Sequence, residues 1–440
     1  MAETAARAGV VARVVADRRQ APLIETSVLP CGIRLVTETM TDVRSVAVAY
    51  WVGTGSRDEP GELAGASHFL EHLLFKGTER WSAAAIAEAL DEVGGDCNAF
   101  TTKEYTTFYV RLLSDHLDLG LDILGDIMRE PALRPEDVEA ERTVILDEIL
   151  MHADEPADLA SERWQAALFP DHPLGRDTLG TASSVQRITR DDIAGFFATH
   201  YRPGNMVVAA AGDCTHESVA ARIEDRFAGT GGGASPSRRA PEPGIVPLDV
   251  VRRPTEQAHL VYGARSTSRF DERRWALAVL NHVLGGGLSS RLFQKVREQR
   301  GLAYSVWSER AAYDDAGSLA VVVGTAPEHV AEVLGIVGGE LELLAGDGVT
   351  ERELAVAKGN LRAELLLSGE DSGARMSRLG ASLLLHGEVL AVDGVDATQQ
   401  LVDRAQVLEV AAELARAPRT LSAVGPFDAS ELESFVPGAR

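Results

Sequence analysis

Cysteine is scarce in this chain. Only Cys31, Cys97 and Cys214 occur in 440 residues. So odd and dispersed a set excludes a disulfide framework and offers no Cys-x-x-Cys thiolate site for a metal. A reducing compartment fits it. Long apolar runs are missing as well. None approaches the roughly 20 residues of a membrane span, and no secretory apolar segment with a cleavage site is present, which places the chain in the cytoplasm. Cations are in deficit: 43 Lys and Arg face 66 Asp and Glu, for a formal charge of −23. Such a surface repels nucleic acid and anionic membrane and favours cationic partners, basic peptides among them.

What is present is enough for a folded protein. The hydrophobic fraction of 45% and the charged fraction of 25% are ordinary for a globular chain, and the length exceeds what one core serves. Two domains are expected. Residues 1–22 carry Arg7, Arg13, Arg18 and Arg19 among alanines, but also Glu3 and Asp17 and no serine. They read as a flexible extension rather than a transit peptide. Gly, Ser and Pro concentrate over 229–244, which reads as a linker between a domain at 23–228 and another at 245–440.

The two segments repeat in outline. Strand-like alternation at Gly32–Val36 and Ser45–Val52 is matched by His259–Tyr262, and a leucine-rich helix ending at Gly77 by one ending at Gly285. Strands near Tyr105–Val110 and Ser318–Val323 follow, then long amphipathic helices. Ser114 can cap one with Leu117, Leu121, Leu124 and Met128 on a stripe, and Pro135 can open the next. Two such copies predict an α+β fold in which helices cover one face of each sheet. Aligning Glu71-His72-Leu73-Leu74 with Asn281-His282-Val283-Leu284 leaves the second copy with His282 alone.

The chemistry concentrates at His68-Phe69-Leu70-Glu71-His72. On a helix the histidines are i and i+4, one turn apart on the same face, so both imidazoles can reach one cation. Glu71 lies on the same side, where a carboxylate can take a proton from water. A catalytic zinc needs a third protein ligand. Glu141 and Glu148, two turns apart on a further helix, both qualify, and spacing does not choose between them.

His68-x-x-Glu71-His72 followed by Glu148 in Glu-Arg-x-Val-Ile-x-x-Glu-Ile resembles the pitrilysin (insulysin) family of metallopeptidases. The branch it resembles most contains the mitochondrial processing peptidase β subunit and its bacterial relatives. Later landmarks fall in family order: Phe169-x-x-His172-Pro173-x-Gly175, Tyr201–Met206, Gly285–Phe293 and Arg297–Ser305. The resemblance implies two homologous α/β-roll domains per chain, in the metallohydrolase fold of the processing peptidases. Four such domains enclose a chamber, so a two-domain chain forms a homodimer. It implies one Zn2+ per chain on His68, His72 and Glu148, with Glu71 as base and Glu141 as a supporting acid behind the ligands. It implies that Asn98, Ala99 and Phe100 form an edge strand that pairs with an extended peptide or unfolded polypeptide, and that Arg297 and Tyr304 steady the substrate carbonyl. By the same resemblance, Asp158 and Glu162 hold an arginine near the cleaved bond. The function implied is a zinc metalloendopeptidase. The alternative within the family is a non-catalytic or partner-dependent subunit; such chains usually lack parts of the metal motif, which is intact here.

Overall fold

The computed structural model describes residues 12–14 and 23–436. The extension expected at 1–22 therefore lies outside the described residues, save for β1 (Ala12–Val14), which pairs antiparallel with β2 (Leu23–Val28). Five further strands complete the first sheet: β3 (Arg34–Thr39), β4 (Ser45–Val52), β5 (Asp96–Thr101), β6 (Thr106–Leu113) and β7 (Met206–Gly212). The second sheet contains β8 (Leu248–Arg252), β9 (Ala258–Ser266), β10 (Ala303–Ala312), β11 (Gly317–Thr325) and β12 (Arg419–Gly425).

The internal repeat is visible strand by strand. The first sheet runs β1-β2-β3-β7-β4-β6-β5 and the second β10-β11-β9-β12-β8. Reversing the second order sets β8, β12, β9, β11 and β10 against β3, β7, β4, β6 and β5. Each set holds one parallel pair, β3 with β7 and β8 with β12, and is otherwise antiparallel. A leucine-rich helix follows the corresponding strand in each copy: α1 (Ala66–Leu74) after β4, and α4 (Arg274–Gly285) after β9. Three more helices matter here: α2 (Pro135–Asp154), α3 (Pro156–Leu168) and α5 (Ser372–His386).

Helices do not cover only one face of each sheet, as the strand-then-helix pattern predicts. In the first sheet, Leu35, Val46, Val48 and Tyr50 face a core shared with α1. On the opposite face, Val36, Ala47, Ala49, Trp51 and Ala209 pack against Met376, Leu379 and Leu383 of α5. In the second sheet, Val261, Ala320, Val322 and Val424 pack against Ala160, Trp164 and Leu168 of α3. The indole of Trp164 donates to the Thr420 carbonyl at 3.1 Å. Burial on both faces explains why β7 and β11 read as unbroken buried runs instead of alternating.

Each helix thus serves the sheet built by the other half of the sequence. Among the described residues, one compact unit comprises those up to Ile149, Thr178–Ser237 and Leu366–Ala391. The other comprises Leu150–Asp177, Arg238–Leu365 and those from Val392 to Val436. The break after Ser237 falls within the Gly/Pro-rich segment, but the contiguous halves 23–228 and 245–440 differ from these units by the exchanged helices. Polar contacts secure α5 in its unit. Arg375 bonds Glu38 Oε1, and Arg378 approaches Oε2 of the same buried carboxylate at 3.5 Å.

Candidate metal centre

Helix α1 is short and firmly seated. Its N-cap Gly65 takes φ +98°, where a Cβ would fall 2.6 Å from the Leu179 carbonyl oxygen, so glycine is required. The Glu59 carboxylate accepts from the amides of Gly65 (2.8 Å) and Ser67 (2.7 Å), satisfying otherwise orphaned donors with a favourable charge. Phe69, Leu70, Leu73 and Leu74 are fully or almost fully buried. With that face fixed in the core, His68 and His72 project from one side, ring centroids 4.7 Å apart.

Helix α2 begins at Pro135 and anchors Val138 and Ile145 in the core. It brings Glu148 Oε2 to 3.6 Å from His68 Nε2 and 3.7 Å from His72 Nε2. The donor atoms of this trio all lie within 4.8 Å of one another. A tetrahedral zinc with ligands at 2.0–2.2 Å would hold its donors about 3.4 Å apart. The chemistry of the set, two imidazoles and one carboxylate, fits the same ion. Glu141 takes a different position: its Oε2 lies 2.9 Å from His72 Nδ1, on the far side of the ring. Of the two glutamates that spacing left open, Glu148 clusters with the two histidine rings and Glu141 lies behind one of them.

Glu71 sits beside this trio. Thr101 Oγ1 donates to its Oε2 at 2.6 Å. Burial raises the Glu71 pKa above the ordinary carboxylate value, and the Thr101 bond and neighbouring His72 oppose the shift. A pocket of about 290 Å3 opens here, lined by Glu71, His72, Phe75, Lys76, Asn98, Ala99 and Glu141. In the sequence Thr101 stands only as the end of the edge strand, not as the partner of Glu71, and nothing points to Lys76 at all. For Thr101 the available signal was its place at the end of the edge segment; for Lys76, two residues past the end of α1, helical spacing offered none.

Residues 34–182 match the model for insulinase, peptidase family M16, and residues 187–361 match the model for the M16 inactive domain. An uncharacterized zinc protease of Mycobacterium tuberculosis is 45% identical over 389 residues, covering 87% of this chain and 88% of that protein. Another from Streptomyces coelicolor is 42% identical over 436 residues, covering 97% and 95%. The chain belongs to the insulinase family, M16. Solved structures share the fold: an M16 inactive domain from Pseudomonas fluorescens has a TM-score of 0.85 at 22% identity, covering 92% of this chain and 98% of that one. A protease from Helicobacter pylori has 0.84 at 22%, covering 92% and 99%.

The remaining residues expected at the site are distributed as follows. Asn98, Ala99 and Phe100 lie on β5, the outer strand of the first sheet among the described residues, opposite Tyr109, Phe108 and Thr107. Arg297 and Tyr304 belong to the second compact unit. The Arg297 guanidinium stands 4.9 Å from the Phe293 ring and 5.2 Å from that of Tyr304, which is 79% exposed. Asp158 and Glu162 also belong to that unit, on the exposed face of α3 opposite Ala160 and Trp164. Asp158 Oδ2 is 3.7 Å from His152 Nδ1. Among the described residues no helix is long and apolar enough to cross a membrane.

Proposed function

We propose that this chain is a zinc metalloendopeptidase that cleaves extended, basic peptides inside a homodimer chamber. The observation that carries the reading is the convergence of His68 Nε2, His72 Nε2 and Glu148 Oε2 on one ion-sized space, with Glu71 alongside. The intact motif favours an active enzyme over a non-catalytic subunit, and the zinc-protease relatives favour zinc.

Zinc bound to the three donors would lower the pKa of water and polarise a scissile carbonyl. Glu71 takes the proton from the attacking water and returns it to the leaving nitrogen. Thr101 restrains one oxygen of Glu71, limiting the rotation of the base. Strand β5 offers its outer edge to an extended peptide, whose backbone adds as a further strand. Arg297 and Tyr304 donate to the substrate carbonyl as charge develops on it. The net charge of −23 favours basic substrates.

The test is a digest of a mixed peptide pool read by mass spectrometry, with and without chelator, alongside metal analysis. Chelator-sensitive internal cleavage with about one zinc per chain is expected. Chelator-insensitive cleavage, or none by a fully metallated protein, would overturn the proposal.

A further inference from the structure

Lys76 lies two residues beyond α1 and has no part in the metal motif. Its Nζ is 2.5 Å from Glu141 Oε1, while the other oxygen of that carboxylate meets His72 Nδ1 at 2.9 Å. Glu141 is nearly buried, with 7% of its side chain exposed. A carboxylate in that position requires compensation, and Lys76 supplies the ammonium. The backbone of Lys76 is held as well: its amide donates to the Leu73 carbonyl at 3.0 Å, and its carbonyl accepts from Arg134, one residue before α2 begins, at 3.3 Å.

These bonds join the two elements that carry the metal-facing donors. Helix α1 holds His68 and His72, and α2 holds Glu148. Glu141 lies seven residues before Glu148 on α2, about 10.5 Å along a rigid helix. Fixing Glu141 against the end of α1 therefore fixes the longitudinal position of Glu148 relative to the histidines. We infer that Lys76 is a positioning residue for the metal centre: through Glu141 it sets the register of α2 against α1 and the orientation of the His72 ring. This rests on the zinc reading proposed above.

The same lysine lines the pocket beside Glu71, so direct contact with peptide is the competing role. The two roles separate experimentally. Wild type, Lys76→Met, Lys76→Arg, Glu141→Gln and the Lys76→Met/Glu141→Gln pair would be titrated with zinc against a competing chelator. Circular dichroism of the zinc-free proteins would check folding. Lys76→Met should weaken zinc binding about 10–100-fold, the range for loss of groups that orient metal ligands, and Lys76→Arg should retain most of the affinity. In the Glu141→Gln background, Lys76→Met should weaken it by less than about threefold more, because the two act as one unit. At saturating zinc, KM should stay near wild type. Unchanged zinc affinity in Lys76→Met, a raised KM without loss of affinity, or additive effects in the pair would each overturn the inference. If Lys76→Met does not fold, a folded Lys76→Arg that binds zinc as poorly as Glu141→Gln also overturns it. A wild type that takes up no zinc would refute the zinc reading itself, a result distinct from all of these.

Discussion

Thr101 Oγ1 and Glu71 Oε2 are 2.6 Å apart, and that bond ties the outer strand of the first sheet to the carboxylate beside the two histidines. The proposed peptide-binding edge and the proposed base are therefore a single mechanical unit. Thr101→Val should lower kcat about tenfold or more, since a hydrogen bond to a charged group is worth ~1.5–3 kcal/mol. Thr101→Ser should keep most activity. Stopped-time peptide assays with matched zinc content would check this; equal kcat in Thr101→Val would show the bond to be incidental.

Base and ligands should separate cleanly. Glu71→Gln should retain zinc and lose a factor of about 10²–10⁴ in kcat. His68→Ala and Glu148→Gln should lose the metal. Elemental analysis beside the activity assay distinguishes the two classes, and full zinc occupancy in both ligand variants would refute the assignment.

Arg297 and Tyr304 are expected to complete the zinc site of the opposite subunit. Glu71→Gln and Tyr304→Phe homodimers should each be impaired, whereas a mixed dimer should regain one good site. If confirmed subunit exchange leaves activity at the parental level, the composite site is wrong.

Asp158 and Glu162 present two carboxylates one turn apart on α3, a spacing suited to a forked guanidinium. Asp158→Asn with Glu162→Gln should raise KM for arginine peptides several-fold more than for neutral ones. An unchanged arginine preference would reduce the pair to solvated surface charge.

The exchanged helix α5 should tolerate little change at Gly380. A Cβ there would fall 2.1 Å from the Trp51 indole nitrogen. Gly380→Ala should destabilise the first unit by about 1–3 kcal/mol, the usual cost of overpacking a core. Urea denaturation followed by tryptophan fluorescence would measure it, and wild-type stability would mean that Trp51 yields without cost.

Much of this was legible because local rules produced it. Ser45–Val52 was read with its observed limits, Pro135 does open α2, and the i,i+4 histidines do share a helix face. The pattern over Tyr105–Val110 starts one residue early and stops short, because the strand runs Thr106–Leu113 and the alternation at its end exposes Arg111 and Leu113 rather than a polar series. The exchange of α3 and α5 was not legible. An amphipathic stripe shows that Trp164 or Leu379 must be buried, but not which sheet will bury it. Lys76 was overlooked for a related reason: it follows the last turn of α1, where helical spacing no longer predicts which way a side chain points.

The exchange also bears on how the protein is made. The first sheet receives its last strand, β7, by Gly212, but the helix covering its outer face begins only at Ser372. At ~5–20 residues per second, a ribosome needs on the order of tens of seconds to traverse the interval. Throughout that time Val36, Ala47, Ala49 and Trp51 lack their apolar cover. The nascent chain is then most exposed to aggregation and most in need of a chaperone. A gene cut at the Gly/Pro-rich segment would make that transient condition permanent.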